Sequence, residues 1–183
     1  MRPVYRVPIR LMPFILAMLV VIQAPGGGQE PTAQNRQRVQ WFIYDAPAVW
    51  FGNTRDSIMK KLGRPMSVSS RLNPNPQDTL TTDSIFTLQY DSASFVVYTV
   101  TEPRHQFLVE ATVSGSRYLR SSPLPFGTRL SQVRRYFGDS SRAKTSSLTY
   151  YCTWCNDTVQ GTGVTLWFRH GRLAGVKWEY KID

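Results

Sequence analysis

Cysteine and histidine are scarce in this 183-residue chain, with two of each. Two cysteines exclude a disulfide-dense miniature scaffold and a four-cysteine zinc site. Two histidines, His105 and His170, leave little for His-based catalysis, and their spacing with the cysteines fits no familiar metal set. Acids are also few: 12 Asp plus Glu stand against 22 Lys plus Arg, a net charge of +10. Long apolar runs are missing. Leu11 to Ile22 is twelve residues without a charge, short of the roughly 20 that span a bilayer. No Gly-x-Ser-x-Gly elbow, phosphate loop or His-Glu-x-x-His helix occurs. Gly161-Thr162-Gly163 lacks a third glycine and precedes a strand-like run, so it is no dinucleotide fingerprint. These absences point away from an enzyme and from any cofactor or metal.

What is present begins with an address. Arg2, Arg6 and Arg10 precede the apolar run, and Ala24-Pro25-Gly26 supplies small residues after it. This is the layout of a secretory signal over residues 1–25, with an uncleaved membrane anchor as the alternative. The chain is therefore expected in the periplasm or outside the cell. Cleavage would remove three of the 22 basic residues and no acid, leaving +7. On an exported chain that charge suits an acidic protein surface, anionic lipid or acidic glycan rather than nucleic acid. The cationic residues look scattered along the chain, with Lys60-Lys61 and Arg134-Arg135 the tightest pairs. Residues 26–38, rich in Gly, Pro and Gln, read as a flexible linker.

The remainder contains one pattern twice, 75 residues apart. Phe51-Gly52, Ile58, Leu62 and Gly63 fall on Phe126-Gly127, Val133, Phe137 and Gly138 without a gap. In the first copy Asn53 or Thr54 is the helix cap, and Ile58, Met59 and Leu62 form one apolar face. Gly63 and Pro65 end the helix. In the second, Thr128 is the cap, Leu130, Val133 and Phe137 the face, and Gly138 the stop. Such short helices need a surface to pack on. Strand-like runs supply it: 85–90, 94–100 and 106–113, then 148–152, 163–169 and 173–180, with His170-Gly171 as a tight hairpin turn. Val39–Tyr44 is expected to add a strand, and Arg64–Ser84 to be a long polar loop. The expected fold is α+β: two tandem helix-plus-antiparallel-meander units, 39–118 and 119–183, with helices on one face of a curved sheet.

Gly52-Asn53-Thr54-Arg55-Asp56-Ser57-Ile58, followed by Leu62-Gly63-Arg64-Pro65, resembles the opening helix of the small outer-membrane assembly lipoproteins, the SmpA/OmlA-like group. The duplication and the ending Leu166-Trp167-Phe168-Arg169-His170-Gly171 resemble the β-lactamase inhibitor protein fold group. The resemblance covers about residues 47–183. It implies two helical layers on one continuous curved sheet, whose free face makes protein–protein contacts and performs no chemistry. No cysteine follows the signal here, so the lipid attachment of those lipoproteins is not implied.

Cys152 and Cys155 are the only cysteines, and an exported chain pairs them by default as a short disulfide stiffening an insertion at 152–162. A redox-active Cys-x-x-Cys pair is the competing reading, but that chemistry favours a helix N-terminus and the surroundings read as strand and loop. Trp167 alternates with Thr165 and Arg169 on one strand face, while Val164, Leu166 and Phe168 take the other. The apolar set should meet the helices, leaving Trp167 and Arg169 outward, a pair of the kind that anchors interfaces. Tyr150, Tyr151 and Trp154 cluster near the disulfide loop, either as an aromatic contact surface at one rim or as packing on the bridge. Trp178 shares a face with Ala174, Val176 and Tyr180 that reads as core, and is carried among the contact candidates as well. The expectation is an exported, non-enzymatic adaptor that binds another exported or envelope protein through its sheet. The alternatives are a charge-driven binder of anionic lipid or glycan, and a thiol oxidoreductase.

Overall fold

The computed structural model describes residues 33–75, 78, 80–101, 104–138, 142–144, 146–151 and 162–181. All belong to one compact unit, Pro31–Asp183. The expected signal at 1–25 lies outside the described residues.

Helix α1, Ala33–Trp50, occupies a stretch expected to be linker and strand. Residues 33–38 are its first turns, and Val39–Tyr44 is helical rather than extended. Its buried residues are Val39, Phe42, Ile43, Ala46 and Pro47, a stripe recurring every three to four positions. Tertiary burial of that stripe overrides the strand propensity of Val39 and of the aromatics between Trp41 and Tyr44.

Helix α2, Arg55–Leu62, starts where it was expected to. The Thr54 hydroxyl accepts from the Ser57 N–H, and Ser57 Oγ accepts from the Thr54 N–H at 2.9 Å. Helix α3, Leu130–Phe137, is capped differently from the expectation. Thr128 donates its hydroxyl to the Pro125 carbonyl, and Gln132 Oε1 accepts from the Arg129 N–H. Both helices stop at a glycine with positive φ, 82° at Gly63 and 83° at Gly138. Ile58 and Val133, one on each helix, have no exposed surface.

Among the described residues the sheet has eight strands: β1 Ser67–Pro74, β2 Thr82–Tyr90, β3 Ala93–Val100, β4 His105–Val113, β5 Arg142–Lys144, β6 Ser147–Tyr151, β7 Gly163–Arg169 and β8 Arg172–Glu179. Their spatial order is β1-β2-β3-β4-β8-β7-β6-β5, antiparallel throughout. One continuous antiparallel sheet results, joined in the middle by β4 against β8, and with the helices it makes a mixed α+β fold. Strand β1 corrects the expected loop at Arg64–Ser84. It lies at a sheet edge, is exposed along nearly its whole length, and so lacks the apolar alternation that marks a half-buried strand.

The core lies between the helices and one sheet face. Phe42 of α1 stacks on Trp178 of β8 with ring centroids 5.6 Å apart, and meets Phe137 of α3 edge-on at 5.1 Å. The Trp178 indole N–H donates to the Phe42 carbonyl at 2.9 Å. Trp178 and Phe42 are fully buried, and burying a side chain of that size contributes about 1.5–3 kcal/mol. Trp178 is therefore a core residue, and its place among the contact candidates is corrected.

Candidate interaction surface

The face of the sheet turned away from the helices is built by alternation. Leu148, Tyr150, Val164 and Leu166 point into the core. Their neighbours Thr149, Tyr151, Thr165 and Trp167 consequently point to the opposite side. Trp167 stands directly across from Gly175 on β8, and Tyr151 directly across from Gly163 on β7. A Cβ on Gly175 would lie 2.8 Å from Trp167 Cε3, and one on Gly163 would lie 2.9 Å from Tyr151 Cδ1. Each large ring thus lies against a glycine that leaves it room. Thr149 and Thr165 share a hydroxyl hydrogen bond at 3.2 Å between the two rings' strands.

Trp167 keeps 36% of its surface exposed, the only tryptophan among the exposed large apolar residues described. Arg169, two positions on, is exposed on the same face. The structure therefore brings Tyr151, Trp167 and Arg169 to one face. Trp154, Cys152 and Cys155 lie outside the described residues.

The seam of this face is charged and internally paired. Lys177 on β8 reaches Glu110 at 3.1 Å and Glu179 at 2.8 Å. Partial burial pulls the Lys177 ammonium down. Its hydrogen bonds to Glu179 and Glu110 together outweigh that and hold its pKa above the ordinary lysine value. Beyond the seam the face closes over a small polar core. Tyr98 donates to Asp83 Oδ2 at 2.6 Å, and the Thr101 N–H donates to Oδ1 at 3.0 Å. Phe107 packs on Tyr98 with centroids 5.4 Å apart. Tyr151 and Trp167 lie in the β6–β7–β8 half of this face.

A second feature is cationic. The stretch Ser114–Gly138 contains Arg117, Arg120, Arg129, Arg134 and Arg135 and no acid. Folding adds Arg38 from α1 on one side of α3 and Arg172 from β8 on the other. Arg38, Arg129, Arg134, Arg135 and Arg172 thus lie around α3, while Arg117 packs on the Tyr118 ring and reaches the Asp91 carbonyl.

Among the described residues no group of three or more His, Cys, Asp or Glu is placed to hold a metal ion. None of the described helices is long and apolar enough to cross a membrane. No protein-family model, curated protein or solved structure matches this chain.

Proposed function

We propose that this chain is an exported, non-enzymatic module that binds another protein of the envelope or exterior through the helix-free face of its sheet. The observation that carries the reading is the Trp167 ring, exposed and seated over Gly175, with Arg169 beside it on the same face. A half-exposed tryptophan held rigidly by its own sheet loses little conformational freedom on docking, and Trp and Arg are the residues that dominate interface energetics. The SmpA/OmlA-like and β-lactamase inhibitor protein resemblance supports the same face.

We further propose that the module is two copies of one helix-plus-meander unit. Several paired details support this. The Tyr90 hydroxyl donates to the Gly63 carbonyl, and the Tyr150 hydroxyl to the Gly138 carbonyl. The Leu108 N–H is received by Asn53 Oδ1, and the Leu173 N–H by the Thr128 carbonyl. The Arg55 N–H reaches Gln106 Oε1, and the Leu130 N–H the Gly171 carbonyl. The register slips once between β3 and β4 at Val96/Val97, leaving Val109 unpaired, and once between β7 and β8 at Trp167/Phe168, leaving Ala174 unpaired. These pairs keep the 75-residue offset at the helices and take an offset of 65 in the last strands, so loop lengths changed while contacts persisted. The offset of 65 carries Thr112 onto Lys177, its own ladder partner. A local two-fold relation therefore runs between those two residues, with α1 laid over the seam.

The test is affinity capture with residues 27–183 on solubilised envelope at low and high salt, run beside Trp167→Ala/Arg169→Ala. A single protein held at high salt by the parent and lost by the double variant is expected, since a packed aromatic contact resists screening. Equal retention by both forms would remove the sheet face from consideration. Material held only at low salt would favour charge-driven binding instead.

A further inference from the structure

We propose that Arg129, Arg134, Arg172 and His170 form an anion site for a phosphate group carried on a larger molecule. The four residues line one open hollow of about 470 Å3, together with Leu130, Ser131 and Gly171. That volume falls in the roughly 300–1,000 Å3 range of ligand sites and exceeds what a bare ion fills. No acid lines it. The ion pairs among the described residues involve Arg55 and Lys177, and none involves these three arginines. Among the described residues the Arg129 and Arg134 side chains donate to no protein group, while Arg172 Nη1 donates to the Gly127 carbonyl at 3.1 Å and keeps its remaining donors.

Three arginines lining one hollow with no acid among the described lining residues repel one another, and an anion seated between them reduces that cost. Guanidinium forks also match the oxygen geometry of phosphate. The scaffold beneath is rigid. The Leu130 N–H donates to the Gly171 carbonyl and the Leu173 N–H to the Thr128 carbonyl, which fixes the first turn of α3 against the β7–β8 turn. His170 sits at the tip of that turn with φ +50°, a left-handed conformation that side chains other than glycine rarely adopt. Asn or Gly would fit the turn with less strain. The histidine there adds a polar ring to the hollow's rim. Arg172 stands directly across from Arg169, so the hollow borders the proposed protein-binding face at the β7–β8 turn, and the variants below leave Trp167 and Arg169 in place.

The experiment titrates the full mature chain with inorganic phosphate, glycerol 3-phosphate, and vesicles of phosphatidylglycerol or phosphatidylcholine. Arg129→Gln/Arg134→Gln removes two charges from the hollow, and Lys60→Gln/Arg64→Gln removes two from exposed positions elsewhere. All four side chains are exposed, so both variants should fold, which circular dichroism checks; Arg134→Gln alone serves if the double variant does not. Saturable binding of at least one phosphate probe is expected, weakened about tenfold or more by the first variant and little by the second. Binding to glycerol 3-phosphate without vesicle binding would assign a soluble ester. Binding to phosphatidylglycerol but not phosphatidylcholine vesicles, with no ester binding, would assign a lipid headgroup. Equal losses in the two variants, or no saturable binding of any probe by the parent, would overturn the site.

Discussion

The Tyr180 hydroxyl donates to the Ile43 carbonyl at 2.8 Å, and Pro47 is what leaves that carbonyl open. In a regular helix the N–H of residue 47 would occupy it; proline has no N–H. The cross-link ties the end of the sheet to the middle of α1. Burial above all, then the neighbouring Tyr44 and Asp45, push the Tyr180 hydroxyl far above the ordinary tyrosine value, so it remains a donor through neutral pH. Tyr180→Phe is expected to cost about 1–3 kcal/mol by orphaning a buried acceptor. Pro47→Ala restores the helical donor, so Tyr180→Phe should cost less in that background. A double-mutant cycle read by urea denaturation checks this, and strictly additive losses would show that the two donors do not compete for one carbonyl.

Gly175 and Trp167 offer a direct probe of the candidate surface. A methyl at position 175 falls on the indole edge at 2.8 Å. Gly175→Ala should therefore lift the ring off the sheet. In a two-dimensional 15N spectrum the Trp167 indole signal should move strongly, while that of Trp178, buried and bonded to Phe42, should move little. An unmoved Trp167 signal would mean the ring does not rest on the glycine.

The helix stops allow a comparison between halves. Gly63 and Gly138 share φ near +82° with ψ of −169° and −158°, a region that only glycine visits comfortably. A Cβ at either site meets nothing within 4 Å. Alanine should thus cost backbone strain alone, on the order of 1–3 kcal/mol, and similarly at both positions. Thermal melts of the two single variants measure it. A large inequality would argue against two equivalent units.

Much of this architecture is legible in residue order. The helices at α2 and α3 end on glycines whose positive φ explains their presence, and five of the six expected apolar strands fall within one residue of their expected ends, while β2 starts three residues early. Two elements are not legible for opposite reasons. Strand β1 has both faces exposed, so burial writes no alternation into it. Helix α1 does carry a helical stripe at 39, 42, 43, 46 and 47, but that stripe is overlaid by β-favouring aromatics and ends on a proline. What opposes the propensity is long-range: the seam between β4 and β8 needs a cover, and Phe42 fits it. The candidate surface is read from strand parity, which is local. The arginine hollow joins residues more than forty positions apart, and no local pattern encodes it.

Asp83 and Tyr98 make acid stability the sharpest test of the polar core. Asp83 is 1% exposed, yet it accepts from the Tyr98 hydroxyl and the Thr101 N–H. The Tyr98 hydrogen bond chiefly holds the carboxyl below the ordinary aspartate value; burial opposes it, and Thr101 and Asn75 add to the lowering. A carboxyl with a depressed folded-state pKa stabilises the fold fully above the unfolded value of about 3.9. That contribution is lost as pH falls through the lower folded value. Asp83→Asn keeps the shape but abolishes the titration and replaces one acceptor oxygen by an amide donor that faces another donor. The variant should be less stable at pH 7, with a gentler decline below pH 4 than the parent. Denaturation midpoints at pH 7, 5, 4 and 3 decide the matter, because curves that fall in parallel would place the acid sensitivity in other carboxylates.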